Sequence, residues 1–507
     1  MVRSKLLIFL ALLACVAGVL VSLNGCGGSS SKQDITPPPP GKIEHVIVIF
    51  QENRTPDNLF QGLCTTNNGV STCGTASNQY DIVNVGNAEG TQVPLMPIDL
   101  GTTGYNPSNP QNYDLSHAHQ AFVNMYDGGL MDGADKIACT PTANCPPNAH
   151  PHPQYMYVYP QDVQPYLTLA QQYTFGDHMF QTNQGPSMPA HQYIIAGTSW
   201  DGTAGSTLFE SENPNLPDAD GGATEAGENT GCSSPTNETV FMIDSANPTW
   251  PANEVTKMYP CFDHPTLIDL LDAQKISWKY YANAPTCVPP NPCPSTGIWT
   301  APNAIQHLCH SSPATGTPCD NPEWATNVVL ESQVLTDISG GQLPAMSWVI
   351  PDGKASDHAL SNAGEGPSWV SSIVNAVGKS QYWQNTAIII TWDDWGGWYD
   401  HVAPPPGKNS YEYGFRVPLI VVSPYAKAGY ISKQTHDFGS ILKFIEGVFN
   451  LPTIDPNVGF ADSYAPDDLS DCFDFSQTPL VFQAISSQYN ASHFLNDKRP
   501  AVDPDDD

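Results

Sequence analysis

Thr386–Thr391 (TAIIIT) is a β-branched apolar run that breaks into Trp392-Asp393-Asp394-Trp395-Gly396-Gly397-Trp398-Tyr399-Asp400-His401. A short run of this composition, closed off by polar residues, is the pattern of a strand covered on both faces. Three other runs share it: His45–Phe50 (HVIVIF), Met346–Ile350 (MSWVI) and Val417–Ser423 (VPLIVVS). Helical periodicity lies between them, at Pro265–Gln274 (PTLIDLLDAQ) and Ser440–Val448 (SILKFIEGV). A further helix is expected to begin near Ser187 and to include His191–Ala196. Strands alternating with helices predict an α/β fold in which the four runs are buried parallel strands. The runs at 45 and 386 are distant in sequence but alike in composition, which favours one domain over two. Most Cys and much Pro and Asn fall between Asp132 and Asp320, so this stretch is expected to form long insertions capping the sheet.

In open α/β sheets ligands bind beyond the carboxyl ends of the strands. Here those ends are polar. The first run leads into Gln51-Glu52-Asn53-Arg54, the second into Pro351-Asp352 with Asp357-His358 soon after, and the third into Asp393-Asp394. Adjacent carboxylates directly after a buried strand are costly unless neutralised, and a divalent cation held by Asp, Glu and Asn oxygens is the simplest neutraliser. The plainer alternative, a helix cap at Asp393-Asp394, is weakened by Glu52-Asn53 at the end of another strand. The segment Asn183–His191 (NQGPSMPAH) supplies a nucleophile candidate, Ser187, two residues before a Pro suited to the first turn of a helix. Backbone N–H groups and the helix dipole favour a phosphate there, and an ordinary N-cap is the competing role.

Composition narrows the partners and the compartment. The 507 residues carry 18 Lys+Arg against 50 Asp+Glu, a formal charge of −32. Such a surface repels phosphate backbones, so nucleic acid is not an expected partner. Arg3 and Lys5 precede the apolar run Leu6–Leu23 and the small residues of Asn24-Gly25-Cys26-Gly27-Gly28, the order of a secretory signal. A retained membrane anchor is the alternative. Leu23–Cys26 resembles a bacterial lipobox. Residues 1–26 are therefore expected to be a signal peptide ending in a lipidated Cys26, 27–41 a Gly/Ser/Pro tether and 501–507 an acidic tail. The folded part is then exported, to the periplasm, outer membrane or cell surface, and touches membrane only through the lipid. Closely spaced cysteines fit that compartment: Cys64/Cys73, Cys139/Cys145, Cys287/Cys293 and Cys309/Cys319 are expected disulfides, with one cysteine, Cys472, left free.

Taken together, these motifs resemble the bacterial phosphoesterase family that contains non-haemolytic phospholipase C enzymes and an acid phosphatase, within the alkaline phosphatase-like superfamily. The matching stretches are HVIVIFQENRTPDNLFQG (45–62), YDGGLMDG (126–133), GPSMPAHQYIIAGTS (185–199) and ISWKYYA (276–282). They continue with SDHALSNAGEGPSWV (356–370), TAIIITWDDWGGWYDHVAPP (386–405), GFRVPLIVVSPYAKAGYIS (414–432) and HDFGSILKFIEGVFNLP (436–452). The resemblance implies a mostly parallel central sheet with helices on both faces and a disulfide-bearing cap, in a catalytic domain at 42–500. It implies one divalent ion (Ca, Mg, Mn or Zn) on Glu52, Asn53, Asp393, Asp394 and Ser187, the last being the nucleophile that forms a phosphoserine. Asp394 stands where the family commonly has Glu. His358 and His117, with His119 as rival to the latter, match histidines near the phosphate. His401 and His436 fall in matching motifs.

The implied substrate is a phosphate ester, either a phospholipid-type diester or a small monoester. Two other classes compete. Ser187, Asp393 and His401 occur in the order of an α/β-hydrolase triad, but Pro189 replaces the last Gly of G-x-S-x-G. A non-catalytic surface binding lipoprotein is the other, and the complete set of polar residues speaks against it. Trp392, Trp395, Trp398 and Tyr399 are either core or a cage for a cationic head group, with core favoured.

Overall fold

The computed structural model describes residues 38–499 apart from 68, 102–107, 141–144, 215–229, 235–236, 250, 283–296, 311–318 and 361. The expected signal, lipidation site, most of the tether, the acidic tail and the Cys287/Cys293 pair lie outside the described residues.

Eight strands form the central sheet: β1 (His45–Gln51), β2 (Thr174–Met179), β3 (Trp278–Ala282), β4 (Val328–Leu330), β5 (Met346–Val349), β6 (Thr386–Trp392), β7 (Leu419–Val422) and β8 (Tyr430–His436), in the spatial order β4-β3-β5-β1-β6-β7-β2-β8. Every residue of β6 is buried, so both faces of the sheet are covered at its centre. β1 runs parallel between β5 and β6, with Ile47 opposite Ile388 and Ile49 opposite Ile390. Each such buried aliphatic side chain contributes roughly 1.5–3 kcal/mol relative to exposure. The covering helices fall into two sets. One gathers around α1 (Ser187–Ala196), with α2 (Leu267–Ala273) and α4 (Phe438–Phe449), and the other around α3 (Gly366–Gly378).

The expected parallel direction fails for one strand. β7 pairs antiparallel with both β6 and β2, whereas the other neighbouring strands pair in parallel. A parallel neighbour requires a crossover to the opposite edge, usually by a helix. Residues 393–418 contain no helix, so the chain re-enters the sheet from the edge it has just left.

The stretch 132–320 is more than a cap, because it also supplies β2, α1 and β3. Its remainder carries an antiparallel three-stranded sheet (Leu208–Glu210, Val240–Asp244 and Glu254–Met258) and, among the described residues, three disulfides. Cys64–Cys73, Cys139–Cys145 and Cys309–Cys319 pair as expected, and Cys472 is free. Cys232–Cys261 is an additional bridge that its sequence separation of 29 hid. Among the described residues no helix is long and apolar enough to cross a membrane.

Candidate active site

The carboxyl ends of β1 and β6 lie side by side, and the polar residues that follow them meet. The Asn53 backbone N–H donates to Asp393 Oδ1 at 2.8 Å across 340 residues of sequence. Asn53 holds this position with φ +60, a left-handed conformation that Asn tolerates better than most residues. Two glycines let the loop after β6 close on it. At Gly396 (φ +62) a Cβ would lie 2.4 Å from the Asn53 carbonyl oxygen; at Gly397 (φ +71) it would lie 2.5 Å from Leu115 Cβ. The second approach brings in His117. Its Nδ1–H donates to Leu115 O at 3.0 Å, which leaves Nε2 to accept from Asn53 Nδ2 at 3.1 Å, 4.0 Å from Asp394 Oδ2. Glu52, Asn53, His117, Asp393 and Asp394 are all fully buried.

Ser187 is the first residue of α1, after Pro186 in extended conformation. At Gly185 a Cβ would meet Tyr411 Oη at 2.3 Å and Ser211 O at 2.5 Å, so the turn into the helix is packed too tightly for a side chain there. Ser187 Oγ is buried and has no hydrogen-bond partner among the described residues. One turn further along α1, His191 Nε2 lies 3.2 Å from Glu52 Oε1. Ligand atoms of Glu52, His191 and Asp393 all lie within 4.8 Å of one another. Burial pushes the His191 imidazole down to about 4, so it is neutral at pH 7. His191 was not among the residues expected from sequence, although an i, i+4 spacing from Ser187 places both on one helix face.

The donor set fits a divalent ion. Asn53 Oδ1, Asp393 Oδ2 and Ser187 Oγ are buried oxygens without hydrogen-bond partners among the described residues, and buried polar atoms are otherwise nearly always satisfied. Clustered buried carboxylate, amide and hydroxyl oxygens beside a neutral imidazole are donors that a divalent cation takes.

His358 faces the same region. Its Nδ1 lies 2.6 Å from Ala359 O, its Nε2 4.0 Å from Asp114 Oδ2, and its ring centroid 5.8 Å from that of His117. Arg54, also missed, fixes the segment before it by donating to Asp357 O from Nε and Nη2 at 2.9 and 2.6 Å. Trp299, from the cap, packs 6.0 Å from His358 and 6.4 Å from His191 between ring centroids. His119 bonds Gln184 Oε1 at 3.1 Å, close to the turn into α1, and burial lowers its imidazole to about 4.

Two of the expected histidines sit elsewhere. His401 Nδ1 meets Asp57 Oδ2 at 2.7 Å and its Nε2 meets Asp81 Oδ1 at 3.2 Å, in a network with Arg416 and Asp400. The esterase triad therefore does not assemble, since His401 faces neither Ser187 nor Asp393. His436, at the end of β8, lies 2.8 Å from Asp467 Oδ2 through Nδ1 and shares a hydrogen bond with Ser432 Oγ through Nε2. The aromatic residues Trp392, Trp395, Trp398 and Tyr399 are core: none is more than 3% exposed, and Trp392 Nε1 donates to Asp357 Oδ2 at 3.0 Å.

The chain is 25% identical over 478 residues to a non-hemolytic phospholipase C of Burkholderia pseudomallei, covering 86% of this chain and 59% of that protein. It is 31% identical over 183 residues to phospholipase C A of Mycobacterium tuberculosis, covering 31% of this chain and 34% of that one. The chain thus spans less than two thirds of the length of these relatives. A solved protein of the alkaline phosphatase superfamily from Vibrio parahaemolyticus is similar over 86% of this chain and 72% of its own, with 12% identity and a TM-score of 0.34. The Phosphoesterase family model matches residues 43–452, from the strand that delivers Glu52 and Asn53 to the helix that follows β8, and the chain belongs to that family.

Proposed function

We propose that this protein is an exported phosphoesterase of phospholipase C type, which cleaves a phosphodiester through a covalent phosphoserine at Ser187. The observation that carries this is the buried Ser187 Oγ, without a hydrogen-bond partner at the first turn of α1, on the helix whose His191 reaches Glu52. The names of the relatives support a phospholipid-type substrate.

Glu52, Asn53, Asp393 and Asp394, with Ser187, would hold one divalent ion. Such an ion supplies charge stabilisation for phosphoryl oxygens and acidifies a neighbouring hydroxyl. The chain's own residues do the rest. His117, whose Nδ1–H is committed to Leu115 O, accepts from Asn53 Nδ2 at Nε2, and as base it would exchange that amide donor for the Ser187 proton. The Ser187 Oγ–P bond forms as the bond to the leaving alkoxide breaks, in line with the attack. Imidazolium His358, with Asp114 4.0 Å from its Nε2, returns a proton to that alkoxide. Water then cleaves the Oγ–P bond with the same two histidines in reversed roles.

Ser187→Ala tests the reading. Because Ser187 Oγ has no hydrogen-bond partner among the described residues, the ion-free variant should keep the melting temperature of the ion-free wild type, while turnover of the loaded variant falls by several orders of magnitude. Acid quenching of wild-type protein with a labelled phosphodiester should trap phosphate on the peptide containing Ser187. Turnover retained in the variant refutes the covalent route.

A further inference from the structure

Cys472 is the free cysteine among the described residues, and it is fully buried. It does not stand alone. Its Sγ lies 3.5 Å from Asp471 Oδ1, and that same oxygen lies 3.8 Å from His436 Nε2. Ligand atoms of His436, Asp471 and Cys472 all lie within 4.8 Å of one another. Zinc bonds at tetrahedral angles separate a sulfur and an oxygen ligand by about 3.5–3.6 Å and a nitrogen and an oxygen ligand by about 3.3–3.4 Å, so the first separation already suits an ion and the second must close by about 0.4 Å.

The imidazole is also oriented for it. Asp467 Oδ2 lies 2.8 Å from His436 Nδ1, an ion-pair distance that holds the ring with Nε2 toward Ser432 Oγ at 2.8 Å and Asp471 Oδ1 at 3.8 Å. Carboxylate–histidine pairs of this kind orient metal-bound imidazoles. Ser432 Oγ, 2.8 Å from Nε2 and 2.5 Å from Asp471 Oδ2, is a second oxygen beside the three donors. The cluster hangs on the edge strand β8 and the 467–472 segment, whereas the phosphoester site hangs on β1, β6 and α1.

We propose that His436, Asp471 and Cys472 form a second metal site, of zinc type, which ties the 467–472 segment to β8. One sulfur, one nitrogen and one oxygen donor select a borderline-soft ion such as Zn2+ over Mg2+ or Ca2+, which prefer oxygen alone. Ser432 has one hydroxyl proton, and it goes to Asp471 Oδ2; in the ion-free protein Nε2–H therefore donates to Ser432 Oγ. Binding displaces that proton and the Cys472 thiol proton, and the thiolate and the Asp471 carboxylate then balance the 2+ charge.

Cadmium titration of the full chain tests this, because a cadmium–thiolate bond has its own ultraviolet absorption. One equivalent of Cd2+ should develop the band, Cys472→Ser should abolish it, and Asp467→Asn should weaken binding by roughly 10–100-fold. Should Cys472→Ser fail to fold, wild-type protein still decides. Zn2+ should slow alkylation of Cys472, followed by mass spectrometry of its peptide. Absence of the band in wild-type protein, or equal alkylation with and without Zn2+, overturns the site.

Discussion

Gly396→Ala isolates the backbone contact that seats Asn53 against Asp393. A Cβ at Gly396 would lie 2.4 Å from Asn53 O and 2.6 Å from Asn53 Cβ, where ordinary contact begins at 3.4 Å. One of the two segments must move by about 1 Å, and neither is a flexible side-chain tip. The left-handed φ of +62 adds about 1–2 kcal/mol for an L side chain, and overpacking against backbone adds about 1–3 kcal/mol. The expected loss is therefore about 2–5 kcal/mol of stability. Since the Asn53 N–H is bonded to Asp393, displacement reaches both groups, and a 1 Å misplacement near the chemistry can lower turnover by about 100-fold. Gly90→Ala is the control: it also has a positive φ, +84, but nothing within 4 Å of its Cβ. It should lose about 1–2 kcal/mol and no activity. The assays are kcat/KM on a chromogenic phosphodiester and thermal unfolding of both variants. A folded Gly396→Ala within about threefold of wild type in kcat/KM refutes the argument.

Removing the proposed ion with a chelator should abolish turnover and lower the melting temperature of the wild type. Asp393→Asn, which keeps an oxygen for Asn53 N–H but loses the charge, should reproduce both effects and respond no further to chelation; elemental analysis finding no stoichiometric ion in active protein would contradict this. Burial alone would lower the His401 imidazole, but the Asp57 and Asp81 carboxylates that it bonds raise it to about 10. A raised histidine stabilises the fold fully below its unfolded value of about 6.5 and progressively less as pH rises toward 10. Denaturant unfolding should show stability falling between pH 8 and 10, and His401→Gln should flatten that decline; parallel profiles would disprove the contribution. Cys26→Ala should leave an exported chain without acyl groups, and intact-mass measurement of the wild type showing an unacylated N-terminus would remove the lipoprotein assignment.

Strands β1 and β6 were legible because burial on both faces makes them uninterrupted apolar runs. β2 (TFGDHM) and β8 (YISKQTH) were not, since each carries a charge whose partner is remote in sequence: Asp177 and Lys433 satisfy one another across neighbouring strands. The direction of β7 was illegible for a different reason. It is set by the absence of a helix in 393–418, not by the strand's own residues. At the site, Glu52, Asn53, Asp393 and Asp394 stood out because polar residues directly after buried strands are costly without a function. His191 was hidden inside a helix that reads as core, although its spacing from Ser187 was available. The role of His401 could not be separated from catalysis by motif, because its distinguishing neighbours, Asp57 and Asp81, lie about 340 and 320 residues away.

The loop after β6 shows how the chain divides its charges. Asp400 and His401 turn toward Arg416, whose guanidinium meets both Asp400 oxygens at 2.8 and 2.9 Å. Asp57, Asp400 and His401 also have donor atoms spaced as a metal site would, but a chain cation already stands beside them. The set Glu52, His191 and Asp393 contains no such group. Arg54 follows in sequence, yet its guanidinium donates to Asp357 O and Asn58 Oδ1, and His191 is neutral. Buried carboxylates left without a countercharge destabilise a fold by several kcal/mol per ion. Two acidic clusters with similar donor spacing therefore differ in one respect: Arg416 stands beside Asp400, whereas Arg54 turns away from Asp393, and it is beside Asp393 that the proposed cation would stabilise the protein.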